Sequence, residues 1–318
     1  MLARVAENLY WMGRQLERAE NTARLVNATT QVLLDSPAGI ELGWDGLIRV
    51  MGFPATQGVT EAEVVHLLLL DQDNPGSIVV SLRHARENAR SLREVLPREV
   101  WEQLNALHLR APALMTAALD RSRRDTALRE VVDSRLMLAG LLNETMSHDA
   151  AFQFLRMGVL LERADMTTRI VDISSAVACT APGGLGMETT WISILKALSA
   201  FQMYRRHQDV RISPRKVANF LFSDARFPRA IRYCLDSIES ILAELPEPAD
   251  PLRATRQAAR LLSKVEHSLE LNEGLPMLID EVQQRLCEVH NAIHEHYFAK
   301  PSSEAAQKLH HQVSGISE

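Results

Sequence analysis

The sequence predicts an all-α protein, a bundle of about ten helices with an internal twofold repeat centred on two Glu-Arg helices. Three observations carry that expectation. Apolar residues recur at helical spacing nearly throughout, and no stretch alternates with period two for long. The segment Met12 to Val26 returns as Met157 to Val171, an offset of 145, with nine of fifteen positions identical. Both copies are rich in Ala, Leu, Met, Glu and Arg, and Pro is absent between Met1 and Ser36.

The first helix is expected from about Ala3 to Leu34, stopping at Ser36-Pro37-Ala38-Gly39. On a wheel of about 100° per residue with Gly13 at zero, Glu17 falls near 40°, Glu20 near 340° and Arg24 near 20°. Glycine, two carboxylates and a guanidinium thus form one narrow ladder. The second copy repeats it as Gly158, Glu162, Asp165 and Arg169. Apolar residues flank the ladder, and Trp11, Leu25 and Arg18 lie opposite, so no broad face reads as solvent-facing and the helix should be central. A glycine inside a helix costs about 1 kcal/mol against Ala. Its return in the same register implies that a second backbone or a ligand passes close by.

A turn-rich piece holding Trp44, Gly46 and Phe53-Pro54 follows through Gly58. Thr60 with Glu63 makes a capping box for a helix ending in Leu67 to Leu70. The turn Asp71 to Ser77 opens a helix from Ile78 to Leu96, and Pro97 restarts the chain into a helix carrying Trp101, Leu104 and Leu107. Further helices are expected at about 125–146, 148–178, 188–208, 214–223, 227–245, 251–272 and 276–298. Ser213-Pro214 and Phe227-Pro228 place Pro near N1, and Pro182 to Gly186 reads as a linker. The expected organisation is a single all-α domain over 1–298, in halves of about 1–146 and 147–298. A polar, loosely held tail covers 299–318.

Composition narrows the function classes. The chain has 318 residues, 46% hydrophobic but only 5% aromatic, which predicts a core of Leu, Ala, Val and Met. Its net charge of −5 leaves no basic footprint for nucleic acid. No apolar run approaches the length of a membrane span, and no signal segment opens the chain. Cys179, Cys234 and Cys287 match neither a zinc spacing nor a disulfide framework. A cytoplasmic protein is the expectation. Of 35 basic residues 30 are Arg, and the first Lys is Lys196, which excludes a P-loop or a Schiff-base lysine from the residues before it.

Beyond the ladders, several stretches resemble a known family. They are Met1 to Arg14 followed by Leu16-Glu17-Arg18-Ala19-Glu20, Asn74-Pro75-Gly76-Ser77-Ile78, Ala85-Arg86-Glu87-Asn88-Ala89-Arg90 and Trp101-Glu102-Gln103-Leu104-Asn105. Leu161-Glu162-Arg163-Ala164, Phe220-Leu221-Phe222, Phe227-Pro228-Arg229 and Tyr297-Phe298 continue the pattern. Together they resemble the bacterial Alpha-E family of helical proteins with a Glu-Arg motif, over nearly the whole chain. Ala230 departs from it, since Ser is expected after the Pro-Arg pair. The resemblance implies, as partners, a circularly permuted ATP-grasp ligase-like protein and a transglutaminase-like protein. The implied role is an accessory or substrate-handling component of an amide-bond-forming system. An enzyme acting on a carboxylate or amide substrate through the ladders, and a helical scaffold, are the alternatives.

Three sets of residues are candidates for chemistry. Glu17, Arg18, Glu20 and Arg24, with Glu162, Arg163, Asp165 and Arg169, can bind a ligand or do acid–base work as shielded carboxylates. They can equally form an internal salt-bridge network, since Glu20–Arg24 and Asp165–Arg169 are favourably ordered i,i+4 pairs. Asn74 and Ser77 at a helix start, with Arg86 and Arg90 further along, form a candidate anion site flanked by Arg83 and Arg93. The alternatives there are a capping turn and a solvated face with an Arg83–Glu87 pair. Glu63-x-x-His66 and His290-x-x-x-His294 carry metal-ligand spacings, but the ladders hold no His and only one Glu-x-x-His is present, so no metal is expected. No cofactor motif is found.

Overall fold

The computed structural model describes residues 2–35, 44–53, 58–180, 185–207, 212–263 and 275–299. Among these residues thirteen helices and no strand are found. They are α1 (Ala3–Asp35), α2 (Asp45–Val50), α3 (Glu61–Leu69), α4 (Ile78–Arg90), α5 (Arg98–Leu119), α6 (Arg121–Thr145) and α7 (Ala150–Thr180). α8 (Leu185–Ala197), α9 (Phe201–His207), α10 (Pro214–Ser223), α11 (Ile231–Ala243), α12 (Ala249–Leu262) and α13 (Leu275–Tyr297) complete the chain.

Among the described residues, the two helices that carry the Glu-Arg motifs make the most extensive contact, α1 against α7. Around each, three further helices close a four-helix ring. α1 touches α4 and α6, and α5 joins those two; α7 touches α11 and α13, and α12 joins those two. α8 lies against both α1 and α7, while α2 lies on α7. The burial of α1 follows from this position. Leu9, Tyr10, Met12, Leu16, Ala19, Ala23, Leu25 and Val26 are all buried, on more than one face.

Local signals set most helix starts. Thr60 accepts from the Glu63 backbone while the Glu63 carboxylate accepts from the Thr60 N–H, a reciprocal box. Ser77, Asp120 and Ser213 cap α4, α6 and α10 through their side chains, and Pro214 stands at the first turn of α10. Each such cap contributes about 1 kcal/mol. Ala230 occupies the N-cap of α11 without any side-chain bond, so the departure from Ser leaves that helix end with one cap fewer.

The structure corrects several boundaries. The helix expected to reach Leu96 ends at Arg90, with turns following. The single helix expected over 188–208 is two, α8 and α9, and it breaks without Gly or Pro. Ser199 takes φ 53°, Ala200 N–H reaches Leu195 O and Ser199 N–H reaches Lys196 O, a Schellman ending built on a serine. Leu185 and Gly186, read as linker, already belong to α8, whereas residues 181–184 lie outside the described residues. Pro228 precedes α11 by three residues and is not at its N1 position. α5 runs through Pro112 to Leu119, and α6 starts at Arg121. The turn-rich piece after Ser36 contains the short helix α2. The turn at 36–39, the stretch 264–272 of the helix expected over 251–272, and 300–318 of the tail also fall outside the described residues.

Candidate functional site

α1 and α7 cross at their glycines. A Cβ on Gly13 would lie 2.3 Å from Leu155 O and 3.1 Å from Val159 N. A Cβ on Gly158 would lie 2.0 Å from Tyr10 O and 3.2 Å from Arg14 N. These are the same contacts displaced by the 145-residue offset, and both put backbone on backbone. Only glycine permits that approach.

The close approach brings each Glu within reach of the other helix's Arg. Arg18 donates from Nε to Glu162 Oε1 at 2.5 Å and from Nη2 to Oε2 at 3.0 Å. Arg163 donates in the same manner to Glu17, Nε to Oε1 at 2.7 Å and Nη2 to Oε2 at 3.0 Å. Two planar forks therefore clamp two carboxylates reciprocally across the crossing.

The surroundings of the two clamps then diverge. Glu162 receives a second cation, Arg14, at 2.7 Å. Glu17 receives Arg135 in a very short contact, Arg229 at 3.2 Å and the Asn21 amide at 3.2 Å. Glu20 pairs with Arg24 at 2.7 Å along its own helix and, very closely, with Arg229. Its Oε2 sits 2.9 Å from Arg135 Nε, at an angle outside hydrogen-bond geometry. In the second copy the corresponding pair is Asp165–Arg169 at 2.8 Å, more open to solvent. Three almost fully buried carboxylates, Glu17, Glu20 and Glu162, thus face six guanidinium groups.

Electrostatics keeps Glu17 and Glu162 ionised. Burial by itself would raise the Glu162 carboxyl, but Arg18 and Arg14 outweigh it and hold it at about 2. Glu17 is likewise held well below the usual carboxylate range, burial being overcome by Arg135, Arg163 and Arg229. Burial lowers Arg24, and neighbouring Arg229 lowers it further. At neutral pH neither Glu17 nor Glu162 has a proton to give, and both are closed off by their partners.

The rim of the crossing is aromatic. Arg14 lies over the Trp11 ring at 5.2 Å, and the Tyr10 hydroxyl is 2.9 Å from His290 Nδ1. Burial, then the Arg14 charge, pushes His290 down to about 4, and burial pushes Tyr10 up to about 12. Cys234, beside Arg163 and Glu17, is driven up to about 12 by burial, which makes it an inert thiol.

The other candidates lie elsewhere. Asn74 and Ser77 are buried in the turn before α4. Asn74 donates to Leu67 O and accepts from Gly76 N–H, while Ser77 donates to Asp71 O and accepts from Val80 N–H. Arg86 bonds Asn105 and Glu87, and Arg90 pairs with Glu87 at 3.0 Å. The expected Arg83–Glu87 pair is replaced by Arg83 to Gln72 at 2.8 Å, because Glu87 is taken by Arg86 and Arg90. Arg93 stacks on Trp101 at 4.3 Å. Glu63 is spent in its capping box, and His294 Nε2 is 3.9 Å from Glu7.

Sequence reasoning overlooked Arg14, Arg135 and Arg229 as members of the network. Arg135 carried a signal: it occupies the stripe Leu128, Val131, Arg135, Leu138, Leu142, where every other residue is apolar. A charged residue in such a stripe needs a buried partner.

A model of the Alpha-E family, described as a predicted alpha-helical domain with a conserved ER motif, matches residues 1–298. An uncharacterized protein of Mycobacterium bovis is 27% identical, the match covering 92% of this chain and 35% of that protein. Uncharacterized proteins from two strains of Mycobacterium tuberculosis match over the same shares at 27% and 26% identity. The chain therefore spans about a third of the length of the curated relatives it matches. No solved structure matches it. No helix among the described residues is long and apolar enough to cross a membrane.

Proposed function

The chain belongs to the Alpha-E family, and from that premise we propose that it is an accessory, substrate-handling component of an ATP-grasp-dependent amide-bond-forming system. Its partners in this reading are a circularly permuted ATP-grasp ligase-like protein and a transglutaminase-like protein, and its place is the cytoplasm. One observation carries the choice of accessory over enzyme. The carboxylates of both Glu-Arg motifs are sealed and gripped by guanidinium groups, Glu162 at about 2. A general acid or base works best with a pKa near the operating pH and a path to substrate. These groups have neither. What the crossing supplies is a rigid junction between two four-helix rings, suited to holding two surfaces in fixed relation. The greater length of the curated relatives leaves room for such a partner in the same polypeptide.

The test is ATP turnover by the proposed ATP-grasp ligase-like partner, measured with and without this chain, together with calorimetry of the isolated chain and ATP. The reading expects faster amide-bond-coupled turnover in the mixture, with no hydrolysis and no tight nucleotide binding by the chain alone. Micromolar ATP affinity for the isolated chain, or a ligase indifferent to its presence, would contradict it.

A further inference from the structure

A half-buried strip of the central helix α1, including Arg24, Asn27 and Ala28, forms the floor of a groove of about 570 Å³ between α6 and α8. Its floor carries Arg24 and Asn27, the α6 wall Asp125, Arg129 and Asp133, and the α8 wall Ser193 and Lys196. The hydrogen-bonding groups here divide into spent and unspent. Asp125 is held by Arg129 at 2.8 Å and by the Asn27 amide at 2.7 Å. Arg24 gives Nε to Glu20 and Nη1 to Ser199 Oγ and Ala197 O.

Unspent are the carboxylate of Asp133 on one wall and the ammonium of Lys196 on the other, both exposed and outside every ion pair of the described residues. Two neutral groups join them. The Asn27 Oδ1 is a buried acceptor without a donor. Ser193, only 8% exposed, lines the groove, and its hydroxyl makes no hydrogen bond among the described residues. Buried polar atoms are normally satisfied, so an orphaned one such as Asn27 Oδ1 beside a groove marks where a ligand or its water belongs.

We propose that this groove binds a zwitterionic amino-acid or short-peptide ligand. Its carboxylate is received by Lys196 on the Arg24 side, and its ammonium by Asp133, with Asn27 Oδ1 accepting an N–H. The charge pattern selects this class. One unpaired cation and one unpaired anion on facing walls match a neutral molecule with separated charges, and a plain anion or cation leaves one of them without a partner. The buried surplus of guanidinium behind Arg24 orients the carboxylate to that end. Pockets for small ligands begin at about 300 Å³, so the volume suits a residue or two. Lys196 is also the first lysine in a chain that otherwise uses arginine. At this position a compact, rotatable ammonium replaces a planar fork. The inference rests on the groove's own groups and stands whether or not the chain works beside a ligase.

Titration of the full chain with L-alanyl-L-alanine, followed by amide chemical shifts, tests it. N-acetyl-alanyl-alanine and alanyl-alanine amide serve as probes lacking one charge each. The expectation is saturable shifts confined to residues lining the groove, with a Kd in the range of roughly 10 μM to 1 mM. Each single-charge probe should bind about tenfold more weakly, as should the dipeptide to Lys196→Ala and to Asp133→Ala. Both side chains are exposed, so neither change threatens the fold. No shifts at millimolar dipeptide, shifts spread over the surface, or equal affinity for the acetylated probe would each overturn the proposal.

Discussion

Arg18 grips Glu162 with two parallel N–H donors, at 2.5 and 3.0 Å, across a crossing where the two helices meet backbone to backbone. Arg163 does the same to Glu17. The Glu-Arg motif is thereby an exchange. Each helix supplies the carboxylate for its partner's guanidinium, and the glycine one turn before the Glu sets the separation at which both forks fit.

That geometry makes the glycines irreplaceable. In an ordinary helix Gly→Ala gains about 1 kcal/mol from propensity. Here the new methyl would meet carbonyl oxygens of Leu155 and Tyr10 at 2.3 and 2.0 Å. Moving two packed backbones costs more than propensity returns. Gly13→Ala and Gly158→Ala should each destabilise by about 2 kcal/mol or more, read from urea midpoints. A higher midpoint for either variant would show that the crossing is looser than described.

The forks matter as shapes, beyond their charge. Lys at position 18 keeps the charge but delivers a single point donor where two aligned N–H groups now sit. Arg18→Lys and Arg163→Lys should both lower stability by about 1–2 kcal/mol. The larger loss is expected at 163, which is nearly enclosed (13% exposed, against 23% for Arg18). Equal stability to the parent chain would mean that charge alone suffices.

Much of this was written in the sequence, and the reasons are local. The register of Gly, Glu and Arg is visible because a helix converts spacing into a face, and the repeat showed two faces of the same kind. The capping box of Thr60 and Glu63 spans four residues and needs nothing else. What the helices do to each other was less legible. The Glu20–Arg24 pair was legible from its i,i+4 spacing, but Glu17 is served from α6, α7 and the turn before α11. Partners brought by tertiary folding leave no spacing to read. The break at Ser199 was hidden for a different reason: no glycine or proline announces it.

Acid should weaken the junction in a defined window. Glu162 ionises at about 2 in the fold against an ordinary value of 4.5. Because the folded value is the lower one, the unfolded chain takes up the proton first as pH falls. The stabilisation is present in full above about 4.5 and is lost as pH drops through about 2. The difference corresponds to a loss on the order of 3 kcal/mol. Urea midpoints at about pH 6 and about pH 3 capture about 2 kcal/mol of it, and Glu162→Gln should flatten that part of the slope. An unchanged slope in the variant would remove Glu162 from the acid response.

His290 offers an independent check on the rim. Its imidazole is depressed to about 4, first by burial and then by Arg14, so it stays neutral where an ordinary histidine is half charged. Proton NMR titration should show one imidazole with a midpoint near 4, assigned by its absence in His290→Gln. Above that midpoint the ring remains paired with the Tyr10 hydroxyl. A midpoint near 6.5 would mean that water reaches the Tyr10–His290 pair freely.

The buried Glu-Arg core fastens α1 to α7. Thermal unfolding of the Glu17→Gln, Glu162→Gln double variant tests that fastening most directly. Removing these carboxylates strands Arg163 on one side and Arg14 and Arg18 on the other and leaves Arg135 and Arg229 sharing Glu20 alone, and breaking a buried pair typically costs about 3–5 kcal/mol. The account predicts a melting temperature lower by about 5 °C or more. A well-folded double variant that melts at or above the parent temperature, as happens when a strained functional site is relieved, would contradict it.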